Sequence, residues 1–224
     1  MNSPLLRFDS PFRRHRLVRV LPAAWDALLA SRPDLADEPL LRDWANNHWP
    51  LIVRRPMPGE EAGLALGLPL PPSAGKRRIA LQCQPGDIAS VMPLPGLAEV
   101  FGTPPESWLP SLRELLLLAA KYEVTTGVFG SLAWQWLTGL TYLSPGSDID
   151  LAWDLPRHDR VDRFLDELAD LDARAPMRLD GELVRADGAG INWRELHAGD
   201  AELALKTATD VVLYPRRSFI GAPA

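Results

Sequence analysis

Proline is spread unevenly along this chain of 224 residues, and its distribution constrains the fold more than any other feature. Of the 22 prolines, 17 lie within residues 1–110. Because proline cannot donate a backbone hydrogen bond, it is disfavoured in helix interiors and in central strands. The first half is therefore predicted to be rich in turns, edge strands and extended connections, whereas regular elements should dominate the second half.

A domain boundary is predicted near residues 103–110, where Thr103-Pro104-Pro105-Glu106 and Pro110 interrupt any periodic pattern. We expect a smaller Pro-rich, β-containing N-terminal domain over residues 1–106 that binds substrate or partner, followed by a catalytic domain over residues 107–224. The elements predicted for the first domain are a helix over 23–30, strands over 51–55 and 79–84, and a Pro/Gly loop region over 56–75.

The second half has clear helical and strand patterns, which predict an α+β (or α/β) domain, a mixed sheet with packing helices. A capping-box pattern, Ser111-Leu112-Arg113-Glu114, predicts a helix from Ser111 to about Tyr122. The next elements are a strand over 124–129, a helix over 130–139 and a strand over 148–153. An amphipathic helix begins at Arg157 and carries apolar residues at helical spacing: Val161, Phe164, Leu165 and Leu168. After it come strands over 177–185 and 191–196 on either side of a turn at 187–190, a helical segment over 201–208 and a strand over 211–214.

Composition excludes several classes of protein. The net charge of −5 is not that of a general nucleic-acid binder. The single cysteine, Cys83, excludes an internal disulfide and favours a buried structural thiol in a reducing compartment. Residues 1–20 lack the apolar run of a signal peptide, and the longest aliphatic run, 115–120, is too short to span a membrane. We therefore expect a cytoplasmic protein that binds neither nucleic acid nor membrane.

Positive charge is nevertheless clustered. One such cluster alone is typical of a solvated surface, but clusters that converge would bind a multiply phosphorylated ligand or an acidic partner. The clusters are Arg13, Arg14, Arg16 and Arg19; Arg54 and Arg55; Lys76, Arg77 and Arg78; and Arg216 and Arg217.

Two carboxylates stand close together in Ser147-Asp148-Ile149-Asp150-Leu151. Side chains alternate along a strand, so Asp148 and Asp150 should point to one side while Ile149 and Leu151 point into the core. Two like charges at this spacing repel each other unless a cation neutralises them. The pair is therefore predicted to bind Mg²⁺, or another divalent cation such as Mn²⁺, which prefers carboxylate and phosphate oxygens.

The pair Gly130-Ser131 lies between a predicted strand and a predicted helix. Its glycine allows a ligand to approach closely, while the N–H groups of the helix start and the Ser131 hydroxyl attract phosphate. Metal-bridged phosphates that face an attacking hydroxyl indicate nucleotidyl transfer with pyrophosphate leaving. A lone Gly-Ser is not specific, and a lone Asp-x-Asp is also typical of a solvated strand end or an Asx turn; the ordered combination is what points to this chemistry.

A third carboxylate, which usually completes a two-metal arrangement, is predicted on the next strand. That strand contains Asp180 and Glu182, on one face if the strand is regular. We favour Asp180, as a metal ligand or as the base toward the incoming hydroxyl; the alternative is an exposed hairpin carboxylate. Lys206 is a candidate for binding phosphate. An equally good explanation of a lysine in this apolar segment is that it extends its ammonium group to solvent.

These residues resemble the DNA-polymerase-β-like nucleotidyltransferase superfamily, in which Gly-Ser and a helix precede Asp-x-Asp on a strand. Within it, the chain is similar to the phosphoribosyl-dephospho-coenzyme A transferases of malonate decarboxylase, also called holo-acyl-carrier-protein synthases. The segments that carry this resemblance are 130–135, 138–143, 147–151, 180–182, 192–196 and 206–207, with looser similarity at 13–19 and 49–55.

The resemblance implies transfer of the phosphoribosyl-dephospho-coenzyme A group from triphosphoribosyl-dephospho-coenzyme A to a serine of an apo acyl-carrier protein subunit. It implies that Asp148 and Asp150 are catalytic and that Gly130 and Ser131 hold the triphosphate. Carrier proteins are usually acidic, so the cluster Arg13–Arg19 is a candidate docking surface. Two alternatives stay open. One is transfer to another acceptor, such as the citrate lyase carrier or a small molecule; the other is a catalytically silent nucleotide-binding module, against which the retained carboxylate pair argues.

Overall fold

The computed structural model of the chain describes residues 11–60 and 62–221. These residues form two compact units, one ending at Pro93 and one beginning at Leu94. The division precedes the boundary expected at residues 106 and 107, because Leu97 and Val100 are buried in the core of the second unit. The roles expected for the two domains stay predictions. The expectation that residues 1–20 are not a signal peptide falls partly on residues 1–10, which lie outside the described residues.

The first unit is built on a five-stranded sheet with strand order β4-β3-β2-β1-β5, in which every neighbouring pair is antiparallel. Prolines begin its two helices, at Pro22 and Pro39, where the missing N–H group removes no hydrogen bond. The elements are β1 (Leu17–Val20), α1 (Pro22–Ala30), α2 (Pro39–Arg42), β2 (Leu51–Val53), β3 (Leu64–Pro69), β4 (Arg78–Cys83) and β5 (Ile88–Met92).

The prediction of a loop over residues 56–75 is wrong for β3, which lies between β2 and β4 inside the sheet. Pro69 and Gly67 suggested a loop, but Pro69 is the last residue of the strand and Gly67 pairs with Ile52 and Ala80. The predicted structural thiol is confirmed. Cys83 is buried and free, and burial raises the pKa of its thiol to about 11, so it is not an activated nucleophile.

The second unit is a mixed six-stranded sheet with strand order β11-β10-β9-β8-β7-β6, which confirms the α+β class. The pair β7 and β8 is parallel, and the other neighbouring pairs are antiparallel. The elements are α3 (Leu109–Tyr122), β6 (Thr126–Phe129), α4 (Gly130–Thr138), β7 (Ile149–Asp154), α5 (Val161–Asp172), β8 (Leu179–Val184), β9 (Gly190–Asn192), α6 (Trp193–Ala198), β10 (Glu202–Lys206), β11 (Val211–Pro215) and α7 (Arg216–Ile220).

Helix α5 makes the crossover that joins the parallel strands β7 and β8. Its predicted apolar face is confirmed, since Val161, Phe164, Leu165 and Leu168 are all buried in the core of this unit. Burying four such side chains stabilises the helix by about 1.5–3 kcal/mol each. This packing holds β7 and β8 side by side, and these two strands carry Asp150 and Asp180.

Helix α3 begins at Leu109, before the predicted start at Ser111. The expected capping box is wrong: the N-cap is Trp108 without a side-chain hydrogen bond, and Ser111 is buried. Pro110 does not interrupt the pattern as expected: it lies in the first turn, where the helix needs no N–H donor from it.

Two further expectations near the C-terminus are wrong. Residues 201–208 contain strand β10, not a helix: Leu203 and Leu205 are buried at alternate positions, and pairing with β9 and β11 overrides the helix propensity of alanine, leucine and lysine. The predicted strand over 191–196 ends at Asn192, which caps helix α6. Across the described residues, the helices are too short or too polar for any to traverse a bilayer.

Candidate metal and phosphate site

Three aspartates meet at one place on the second sheet: Asp150 on β7, Asp148 directly before that strand, and Asp180 on the neighbouring strand β8. Asp148, Asp150 and Asp180 each offer a carboxylate oxygen, and these oxygens all lie within 4.8 Å of one another. The parallel register of β7 and β8 sets Asp150 directly opposite Asp180. The structure thus brings the predicted pair together with the third carboxylate that was favoured on the next strand.

The burial of the intervening residues explains why the carboxylates share one side. Ile149 and Leu151 are both 0% exposed in the core, so the alternation of the strand turns Asp148 and Asp150 away from it. All three aspartates are half-buried, which leaves them accessible to a ligand.

Gly130 joins the start of helix α4 to this cluster. It has a φ angle of +63°, a conformation that favours glycine, and a β-carbon at this position would lie 1.7 Å from Oδ2 of Asp150. The preceding residue, Phe129, pairs with Asp150 across β6 and β7. The first turn of α4, with Gly130 and Ser131, therefore lies immediately beside the carboxylates.

That first turn can attract an anion. Its backbone N–H groups have no partner within the helix, and the helix dipole places partial positive charge there. The loop between α4 and β7 is tied back to the helix, because Oε1 of Gln135 accepts hydrogen bonds from the N–H groups of Tyr142 and Leu143, at 3.1 and 3.0 Å. This loop leads into Asp148, so one connection supports both the first turn of α4 and the carboxylates.

Asp180 and Glu182 occupy different surroundings. Oδ1 of Asp180 accepts hydrogen bonds from Gly181 N, at 2.8 Å, and from Asn192 Nδ2, at 3.0 Å. Glu182 is 6% exposed, and Nζ of Lys206 donates to its Oε1 at 2.8 Å. Asp180 is therefore the residue of the two that joins the cluster, and the ammonium of Lys206 contacts a buried carboxylate.

The donor set fits a hard divalent cation. Carboxylate oxygens are the ligands that Mg²⁺ and Mn²⁺ take from proteins, and in an octahedral shell of radius about 2.1 Å neighbouring ligand atoms are about 3 Å apart. Oxygens within 4.8 Å of one another reach that spacing with small side-chain rotations. A divalent cation would also offset the repulsion of three carboxylates. The three aspartates could therefore hold such an ion.

Comparison with known proteins identifies the family of the chain. The family model described as "Phosphoribosyl-dephospho-CoA transferase MdcG N-terminal domain" matches residues 13–93, and that described as "Phosphoribosyl-dephospho-CoA transferase MdcG C-terminal domain" matches residues 96–217. The chain belongs to the phosphoribosyl-dephospho-CoA transferase family. The two matches of this transferase meet where its two compact units divide. The family expected from the sequence is confirmed, and the protein is a transferase.

Several relatives carry the name phosphoribosyl-dephospho-CoA transferase. The one from Bradyrhizobium diazoefficiens is 48% identical over 220 residues, which cover 98% of this chain and 97% of the relative. The one from Xanthomonas campestris pv. campestris strain 8004 is 37% identical over 188 residues, 80% of this chain and 88% of the relative. The one from Xanthomonas euvesicatoria pv. vesicatoria is 37% identical over 206 residues, 91% of this chain and 94% of the relative. No solved structure matches the transferase significantly.

Sequence reasoning gave no role to two residues of the transferase that contact the cluster or its strands. Asn192 donates to Asp180, and Gly181 has space for no side chain, since a β-carbon there would lie 2.2 Å from the carbonyl oxygen of Leu151. The turn predicted at 187–190 could have indicated the position of Asn192, because the two strands that flank a tight turn pair with each other. This pairing places Asn192 close to the start of β8.

Proposed function

We propose that this transferase moves the phosphoribosyl-dephospho-CoA group from triphosphoribosyl-dephospho-CoA to a serine of the apo acyl-carrier subunit of malonate decarboxylase. Family membership supports the transferred group. The observation that supports the reaction type is the close approach of Gly130 to Asp150, which sets the start of helix α4 beside three carboxylates. This is the arrangement that transfer of a phosphate-linked group, with pyrophosphate leaving, requires.

In the proposed step, the serine oxygen of the carrier attacks the phosphorus that is attached to the ribose of the donor. A new P–O bond forms, the bond to the outer two phosphates breaks, and pyrophosphate departs with its electron pair. The serine proton goes to a carboxylate, and we assign Asp180 as its acceptor or as a further metal ligand. The first turn of α4, with Gly130 and Ser131, binds the triphosphate and aligns it for attack.

Asp148 and Asp150 are proposed to hold Mg²⁺, or another divalent cation such as Mn²⁺. When bound, the cation supplies positive charge that offsets the charge of the phosphates and of the leaving pyrophosphate. Lys206 has its ammonium on Glu182, so its contribution to triphosphate binding stays a prediction.

The carrier is proposed to dock on the basic segment Arg13–Arg19 of the first unit, because acyl carriers are usually acidic and opposite charge steers association. We place the reaction in the cytoplasm, which agrees with a single cysteine that is free and buried.

The decisive experiment combines the purified protein with Mg²⁺, triphosphoribosyl-dephospho-CoA and the apo carrier. Intact-mass measurement of the carrier should show a gain equal to the phosphoribosyl-dephospho-CoA group, with one pyrophosphate released per carrier modified. Modification of the citrate lyase carrier or of a small molecule, in place of the malonate decarboxylase carrier, would show that the proposed acceptor is wrong. Absence of any transfer would overturn the proposed function.

Asp148→Asn and Asp150→Asn should each abolish turnover while the protein stays folded, because removing like charge relieves repulsion in the metal-free site. Asp154→Asn is the matched control, since this carboxylate lies on the same strand outside the cluster and should keep normal turnover. Wild-type activity in either cluster variant would refute the metal site.

A further inference from the structure

The segment Asn192-Trp193-Arg194, where β9 passes into α6, is bound to the start of β8, which carries Asp180. We propose that this segment holds the Asp180 carboxylate in position for the cation, with Asn192 as the positioning residue that contacts it. The inference rests on the proposed function, because it takes Asp180 as part of the metal site.

The side-chain amide of Asn192 makes two contacts with different atoms. Its Oδ1 accepts a hydrogen bond from the N–H of Arg194 at 2.9 Å, which caps helix α6. Its Nδ2 donates to Oδ1 of Asp180 at 3.0 Å. Because the cap uses the oxygen, the amide is oriented with its NH₂ group toward the carboxylate.

Both donors to Asp180 contact the same oxygen. Gly181 N and Asn192 Nδ2 lie 2.8 and 3.0 Å from Oδ1, so the rotation of the carboxyl group is set by two hydrogen bonds. We therefore assign the second oxygen, Oδ2, to the cation. Hydrogen bonds of this kind orient metal ligands before the metal arrives, and their loss commonly weakens metal affinity 10-fold to 100-fold, to order of magnitude.

The backbone before Asp180 is held by the same segment. The carbonyl oxygen of Leu179 accepts hydrogen bonds from Nε1 of Trp193 and from Nη2 of Arg194, both at 3.0 Å. Trp193 is 1% exposed, so its indole cannot move without disturbing the core. The N–H group of Leu179 is held as well, because Oδ1 of Asp172 accepts a hydrogen bond from it at 2.9 Å. The same oxygen accepts a second hydrogen bond from Nη2 of Arg194 at 2.8 Å.

Repulsion explains why such support is needed. Three carboxylates within 4.8 Å of one another repel, and a carboxyl group with free rotation would turn toward solvent. Two N–H donors on one oxygen offset part of this repulsion and fix the rotamer. The site then needs less reorganisation when the cation binds.

The two functions of Asn192 can be separated by substitution. Serine caps a helix as well as asparagine does, but its hydroxyl is too short to reach Asp180 while it caps. Asn192→Ser should therefore keep the stability of α6 and lose the contact with Asp180. Asn192→Thr has the same two properties and serves as the second variant if Asn192→Ser folds poorly. Glu195→Gln, in the same helix, removes one charge without a contact to Asp180 and is the matched control.

The test is a Mn²⁺ titration of the full-length protein, with free Mn²⁺ measured by electron paramagnetic resonance and no substrate present. We expect Asn192→Ser to weaken Mn²⁺ binding about 10-fold at an unchanged melting temperature. Asp180→Asn should weaken binding at least as much. The double variant should bind no more weakly than Asp180→Asn, because Asn192 acts through Asp180. Glu195→Gln should bind as the wild type does.

Wild-type Mn²⁺ affinity in Asn192→Ser, with weakened binding in Asp180→Asn, would overturn the positioning role and leave the proposed function standing. Additive losses in the double variant would also overturn it. A wild-type protein that binds no Mn²⁺, or binds it unchanged in Asp148→Asn and Asp150→Asn, would overturn the metal site and this inference together.

Discussion

Gly130 and Asp150 stand so close together that a β-carbon on Gly130 would lie 1.7 Å from the Oδ2 atom of Asp150. This close approach joins the start of helix α4, at Gly130, to the acidic face of strand β7, which carries Asp150. It depends on the absence of a side chain at position 130 and on a φ angle of +63°. The geometry of the candidate site therefore depends on one residue that itself offers no side-chain chemistry.

Gly130→Ala should reduce turnover by about 100-fold, because the new methyl group would displace the Asp150 carboxylate by about 1 Å or more. The positive φ adds a backbone penalty of about 1–2 kcal/mol. Pyrophosphate release and urea unfolding would measure the two effects.

Gly139→Ala separates backbone strain from displacement. Gly139 has a φ angle of +72°, and a β-carbon added to it would meet no atom within 4 Å, so this variant should also lose about 1–2 kcal/mol of stability and keep its activity. Equal activity in the two alanine variants would contradict the importance of the Gly130–Asp150 contact.

Lys206→Met should lower the free energy of unfolding by about 3 kcal/mol, because it removes the ammonium from the buried Glu182 carboxylate. The double variant with Glu182→Leu should recover part of this loss. Chemical denaturation would measure both. Lys121→Met, which breaks the exposed pair with Glu167, should cost less than about 1 kcal/mol. A Lys206→Met variant as stable as Lys121→Met would show that the pair with Glu182 contributes little.

Stability should fall at low pH through Asp172. Burial raises the pKa of Asp172, but hydrogen bonds from Arg194 and from the N–H of Leu179 outweigh it and hold the pKa below the ordinary value of 3.8. Because the folded-state pKa is the lower one, this contribution is complete well above pH 3.8 and is lost as the pH falls through the folded-state pKa.

Asp172→Asn should therefore be less stable by about 1–3 kcal/mol at neutral pH and decline less steeply in acid. Melting temperatures between pH 7 and about pH 3 would show this difference. Asp170→Asn, at an exposed position in the same helix, should follow the wild-type profile. Parallel profiles for wild type and Asp172→Asn would refute the prediction.

Arg13→Glu combined with Arg16→Glu should slow modification of an acidic carrier, and more at low salt than at high salt, because salt screens the long-range attraction between opposite charges. The rate of carrier modification at about 20 mM and about 500 mM salt would test this. Lys76→Glu with Arg78→Glu makes the same charge change at exposed positions elsewhere in the first unit and should have the smaller effect. Equal loss at both salt concentrations would argue against steering.

Local patterns were sufficient for part of the fold and of the candidate site. The spacing of apolar residues in α5 is a property of that segment alone, and the burial of Phe164 and Leu168 confirms it. The alternation in Ile149-Asp150-Leu151 likewise determines which side chains turn toward the core. The grouping of Asp148 with Asp150 could be predicted for this reason.

The sequence by itself determined the class of fold and the opposed placement of carboxylates and core residues over 148–151, because these depend on periodicity within a few neighbouring residues. It also indicated the family, through the resemblance of its Gly-Ser and Asp-x-Asp segments to known members. Only the tertiary structure decided that β10 is a strand, that Asp180 and not Glu182 joins the cluster, and that Asn192 contacts Asp180. These outcomes depend on strand register and on partners distant in the chain. A half-buried lysine such as Lys206 selects its carboxylate only once three strands are aligned.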